Sequence, residues 1–144
     1  MKKKILVTVV ILAALGAVSC GFWKYSDVKA HIDKMIEYQY SYIEKLEKAE
    51  KGEDIAQAMD EYIDTMIQFG FDMRKLTEKY PELQKDEPPE ELKGHFNKLN
   101  ETISIVSTRV AGPLQRYSLD PVVLKAQKRY TERLLQLSTD SPKK

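Results

Sequence analysis

The chain has 144 residues, of which 31% are charged, with 6 glycines, 6 prolines and a single cysteine. One cysteine excludes an internal disulfide, and the high charge with little glycine or proline argues against both an all-β fold and a disordered chain. A net charge of +1 gives nucleic-acid binding no electrostatic footing at the level of the whole chain.

The first residues carry a targeting pattern. Lys2, Lys3 and Lys4 precede an uncharged run from Ile5 to Val18. A basic start followed by an apolar stretch of this length describes a secretory signal, with the lysines held on the cytoplasmic side. The run is apolar all round, which is not the pattern of an amphipathic core helix. It ends in Ala17-Val18-Ser19-Cys20. Small residues before a cysteine at this place resemble the lipobox of bacterial lipoproteins. The resemblance implies a diacylglyceryl group on the Cys20 sulfur and cleavage between Ser19 and Cys20. Gly21 follows where an aspartate is absent, which in lipoproteins sorted as in enteric bacteria implies the outer membrane of a Gram-negative cell.

Two other readings of the same residues stay open. Ala17-Val18-Ser19 also suits an ordinary small-x-small cleavage site, which would release a soluble protein. Ile5 to Trp23 also has the length of a membrane-spanning anchor, with Trp23 and Tyr25 at the interface. All three readings place the rest of the chain outside the cytoplasm, in the cell envelope or periplasm. Residues 1–23 are therefore read as signal peptide or anchor, 24–138 as a helical domain and 139–144 as a tail.

Within the domain, apolar residues recur at alternating steps of three and four. Val28, Ile32, Met35, Gln39, Tyr42, Leu46 and Ala49, widened by Ile36 and Ile43, predict a helix from about Ser26 to Lys51. Ser26 or Asp27 is the expected N-cap, and Gly52 the expected stop. Ile55, Met59, Tyr62, Met66, Phe69, Met73, Leu76 and Tyr80 predict a second helix, stopped by Pro81. The polar stretch Glu82 to Glu87 reads as a loop. Pro88 and Pro89 mark the first turn of a third helix, capped by Asp86 or Glu87, with Glu90 and Glu91 at its positive end. Leu92, Phe96, Leu99, Ile103, Val106 and Val110 form its stripe, and Gly112-Pro113 should end or kink it. Asp120-Pro121 opens a fourth helix with Val123, Tyr130, Leu134 and Leu137 turned inward.

Four amphipathic helices with mostly short connections predict an all-α, up-down-up-down four-helix bundle behind an N-terminal apolar signal or anchor helix. Charge is uneven along it. From Asp27 to Glu91, 18 acidic residues face 9 basic ones, whereas from Ile105 to Lys144 there are 8 basic and 3 acidic. Attraction between halves paired as antiparallel hairpins accounts for this, with a basic face on anionic lipid as the other reading.

Chemistry-bearing motifs are few. His31 and His95 are the two histidines, too few for a zinc site at recognisable spacing, and no E-x-x-H pair suits a di-iron bundle. No nucleophile motif or phosphate loop occurs. Carboxylate pairs such as Glu90/Glu91 and Asp60/Asp64 are expected on solvated helix faces. No catalytic residue, metal or cofactor is therefore predicted, and the chain is read as a non-enzyme. Among the 8 tyrosines, Tyr42 and Tyr62 with Met66 and Met73 offer the alternative of a small-molecule groove.

From Ile43 to about Asn100 the layout resembles the soluble periplasmic b-type cytochromes built as four-helix bundles. Ile43-Glu44-Lys45-Leu46-Glu47-Lys48-Ala49, the Pro81–Pro89 connection and Glu90-Glu91-Leu92-Lys93-Gly94-His95-Phe96 carry it. That family holds haem iron with a methionine early in the first helix and a histidine late in the last. Met35 lies near the first position, beside Ile36, but Pro121 to Ser138 contains no histidine. The resemblance implies the bundle without haem. The expected function is that of a membrane-tethered, non-catalytic interaction or structural module, meeting the membrane through its anchor and an envelope protein as partner.

Overall fold

The computed structural model describes residues 23–139, with side chains to residue 136. The signal or anchor segment, Cys20, the Leu137 side chain and most of the tail lie outside the described residues. The fold is all-α. Its long helices are α1 (Ser26–Glu47), α2 (Gly52–Lys79), α3 (Glu90–Arg109) and α5 (Pro121–Thr139), with a short α4 (Ala111–Arg116) between the last two and a 3₁₀ turn at Pro81–Gln84.

Helix α1 buries Val28, Ile32, Ile36, Gln39, Tyr42, Ile43 and Leu46, as its stripe predicts. Its start differs from expectation. The N-cap position is Tyr25, not Ser26 or Asp27. Tyr25 is only 3% exposed and packs edge-on against Tyr80, so tertiary packing, not a side-chain cap, sets where the chain enters the helix. Asp27 sits inside the first turn and accepts a hydrogen bond from the Val28 amide.

Gly52 does not stop α1. The helix ends at Glu47, and Gly52 is instead the first residue of α2. No glycine among the described residues adopts a positive φ, so left-handed closure is not its role here. The need is for space: a Cβ on Gly52 would lie 2.2 Å from Asp120 Oδ2. Asp120 in turn caps α5, its Oδ1 accepting from the Val122 amide at 2.8 Å, as the Asp-Pro pair predicts. The start of α2 is held by Asp54, whose Oδ2 accepts from the amides of Glu50 and Lys51.

The stripe of α2 is wider than predicted. Ala56, Ala58 and Ile63 are buried in addition to Ile55, Met59 and Phe69. The cause is that α2 packs against α1 on one side and α5 on another, so two of its faces are covered. In α3 the buried positions are Leu92, Leu99, Thr102 and Val106. Ile103, expected inside, is 48% exposed. Thr102 takes the inward place because its hydroxyl is already satisfied by the Lys98 carbonyl at 2.8 Å. Asp86 and Glu87 do not cap α3; Pro89 occupies the N-cap with no side-chain bond. The run Thr102 to Val110, rich in β-branched residues, stays helical to Arg109, and the chain then breaks at Val110 ahead of Gly112-Pro113. Proline lacks the N–H that would continue the ladder.

Cross-helix pairs give the directions. Asp27 meets Lys79, His31 meets Phe69 and Lys45 meets Glu61, so α1 and α2 are antiparallel. Asp33 meets His95 and Glu47 meets Arg109, so α1 and α3 run parallel. Asp60 meets Arg129 and Asp64 meets Arg133, so α2 and α5 also run parallel. The acidic and basic parts of the chain are thus joined by arginine pairs between parallel neighbours, not by antiparallel hairpins. One core cluster, around Ile43, Leu46, Ile55, Met59, Val106, Val123 and Ala126, draws on all four long helices. A second, around Tyr25, Val28, Ile32, Leu92 and Leu99 with Met73, Leu76 and Leu83, contains nothing from α5 among the described residues.

Candidate interaction surface

The residues singled out for chemistry fall into different parts of the molecule. His31 and His95 are both half-buried and both engaged. His31 Nε2 donates to the Phe69 carbonyl at 3.1 Å, with the two rings edge-on. His95 Nδ1 lies 3.0 Å from Asp33 Oδ1, across α1 and α3. Among the described residues no group of three or more His, Cys, Asp or Glu is placed to hold a metal ion.

The four residues of the imagined groove are not brought to one cavity. Tyr42 and Tyr62 stack at 4.0 Å within the first core cluster. Met73 belongs to the second. Met66 bridges them through Gln39, which is 3% exposed. The Tyr62 hydroxyl donates to Gln39 Oε1 at 2.8 Å, and Gln39 Nε2 reaches Met66 Sδ at 3.6 Å. A buried amide needs such partners, since an unsatisfied one costs about 1–3 kcal/mol. Burial pushes the Tyr42 phenol well above its ordinary value and raises Tyr62 and Tyr130 too, with the Gln39 hydrogen bond pulling Tyr62 partly back. The rings form a column along the α1–α2 seam, in which Tyr38 stacks near Tyr62 and meets Phe69 edge-on.

The carboxylates also serve structure. Asp60 receives a bidentate hydrogen bond from Arg129, and Asp64 pairs with Arg133, so these two join helices and do not simply face solvent. Glu90 pairs with Lys93 one turn on.

What remains for recognition is surface. A shallow groove of about 400 Å³ runs over the α1–α2 seam between Lys34, Glu37, Tyr38, Ser41, Thr65 and Phe69. Elsewhere, Ile103 on α3, Leu119 just before α5, and Leu124 and Leu134 on α5 are all more than two-fifths exposed, with Leu119 at 88%. Leu134, expected inside, is 44% exposed. Large exposed apolar side chains of this kind mark interaction surfaces when they gather into a patch. Periodicity alone placed Ile103 and Leu134 inside. Only the pairing of helices shows where a stripe outruns its cover.

Among the described residues no helix is long and apolar enough to cross a membrane. Tyr25, expected at the membrane interface in the spanning-anchor reading, is 3% exposed and packs in the bundle. No known protein family, curated protein or solved structure matches this chain.

Proposed function

We propose that this chain is a membrane-tethered, non-catalytic envelope protein, lipidated at Cys20, whose up-down-up-down bundle serves as an interaction or structural module outside the cytoplasm. The observation that carries it is the closeness of two features. Lys2 to Lys4, the run Ile5 to Val18 and Ala17-Val18-Ser19-Cys20 specify export and attachment. Only Gly21 to Lys24 then separate Cys20 from Tyr25, the first buried residue of the bundle. A tether of that length spans at most roughly 15–20 Å when extended. The module is therefore held at the membrane surface, with the Tyr25 end nearest the lipid. Acyl chains contribute about 0.8 kcal/mol per buried methylene, so two or three secure it.

The test is the intact mass of the protein extracted from bacterial membranes. A chain beginning at Cys20 with added acyl mass is the expected result. An unmodified full-length mass makes Ile5 to Trp23 a spanning anchor, and a cleaved, unlipidated chain in the soluble fraction overturns the tether. Crosslinking in intact cells tests the interaction role: recovery of a reproducible envelope partner supports it, and repeated recovery of none counts against it.

A further inference from the structure

The end of the bundle nearest the proposed tether contains a short sequence used twice. Lys24-Tyr25-Ser26-Asp27 opens α1, and Lys79-Tyr80-Pro81-Glu82 closes α2. Each has the form Lys-Tyr-x-acid. The structure sets the two face to face and exchanges their partners. The Tyr25 hydroxyl donates to Glu82 Oε1 at 2.6 Å, and Lys24 Nζ lies 2.7 Å from the same oxygen. In the other direction, Lys79 Nζ donates to Asp27 Oδ2 at 2.7 Å, and the Tyr80 hydroxyl donates to Asp27 Oδ1 at 3.1 Å. Each lysine also lies over the ring of its own tyrosine, at 4.9 and 5.0 Å. The two rings meet edge-on with centroids 5.2 Å apart.

We propose that these two segments form a reciprocal clasp that makes the first turn of α1 and the 3₁₀ turn after α2 open and close as one unit. The parts are ordinary taken singly. Exposed lysine–carboxylate pairs contribute little. The coupling comes from the shared tyrosine contact: Tyr25 is buried, so losing its anchor at Glu82 moves the ring against which Tyr80 packs, and Tyr80 positions its hydroxyl on Asp27. Each arm is therefore made only when the other holds its ring in place. Local opening in such a case follows one cooperative step and not two independent ones. In a tethered protein, which is the reading proposed above, the consequence is mechanical. Tension entering at Trp23 is passed to α2 as well as α1, and the first turn does not peel away alone.

Hydrogen exchange on the full chain in detergent micelles tests this, resolved to single amides. Tyr25→Phe and Tyr80→Phe keep both rings and remove one hydroxyl each. The Lys29 amide, bonded to the Tyr25 carbonyl, reports the first turn of α1, and the Tyr80 and Lys85 amides, bonded to the Leu76 and Glu82 carbonyls, report the end of α2 and the 3₁₀ turn. The clasp requires Tyr25→Phe and Tyr80→Phe each to speed exchange at Lys29, Tyr80 and Lys85 together, by about fivefold. The double variant should be slower than the product of the two effects. Acceleration at Lys29 without Tyr80 and Lys85, the reverse, or no change at any of the three amides overturns the proposal. So does acceleration that spreads equally to Leu46, in the other core cluster, because that marks loss of the whole fold. None of these outcomes depends on whether Cys20 is lipidated.

Discussion

Gly52 and Asp120 show how two residues 68 positions apart in sequence come to depend on each other. The aspartate caps α5, and the glycine leaves the room in which the carboxylate sits. Gly52→Ala would push that carboxylate off the Val122 amide. Loss of a cap costs about 1 kcal/mol and forced overpacking about 1–3 kcal/mol. The expected outcome is a destabilisation of about 2 kcal/mol in urea unfolding, with a smaller effect when Asp120→Ala is already present. An equal effect in both backgrounds would show that the two sites are independent. Nothing local announces this role, since a glycine after Glu-Lys near a helix end reads first as a stop. At the same scale, Gln39 sits where periodicity puts it, but its partner Tyr62 could not be named without the fold.

At the scale of elements, the helices owe their lengths to local signals and their buried faces to neighbours. Pro81, Asp120-Pro121 and the unbroken three-four alternation gave the ends of α2 and α5 and the existence of all four long helices. The second buried face of α2 was not legible, because Ala56 becomes core only once Val123 and Ala126 of α5 lie beside it. Register can be tested with one contrast. Ile63→Ala, at 1% exposure, should cost about 3 kcal/mol through lost burial and the cavity left behind. Ile103→Ala, at 48% exposure, should stay within about 0.5 kcal/mol. Denaturant midpoints for the pair check both, and comparable losses would mean that α3 is rotated to bury Ile103.

Across the whole molecule, acidity is the natural lever, because carboxylates hold the helices to one another. Lys24 ahead of Tyr25 brings Glu82 down to about 2. Burial pushes Asp27 up, but Lys79, Tyr80 and the Val28 amide outweigh it and leave the group below its ordinary value. Lys45, then Gln57, lowers Glu61 in the same way. A carboxyl whose folded value is depressed adds stability above its unfolded value, near 4, and loses that contribution as the pH falls through the folded value. The melting temperature should therefore hold level from neutral pH to about 5 and decline below it. Glu82→Gln should lower the plateau and flatten the decline between about 4.5 and 2. Melting curves recorded by circular dichroism at stepped pH check this, and an unchanged slope in the variant would remove Glu82 from the account. The Lys-Tyr-x-acid segments that hold Glu82 and Asp27 did not stand out in the sequence, because only the fold sets them face to face.

By itself the sequence determined the all-α class, the long helices, several of their ends and the expectation of export with attachment near Cys20. Those features rest on patterns a few residues long: a step of 3.6, a proline, a basic start to an apolar run. Only the tertiary structure decided which helices lie side by side, that two neighbouring pairs run parallel, that Gly52 makes room for Asp120, and that Tyr25 is buried in the bundle. The reason is physical. A side chain's burial and its ion-pair partner depend on residues that may be 60 or more positions away, as Arg109 and Glu47 are at a separation of 62. A stripe specifies that a face is covered, and the packing of the other helices selects what covers it.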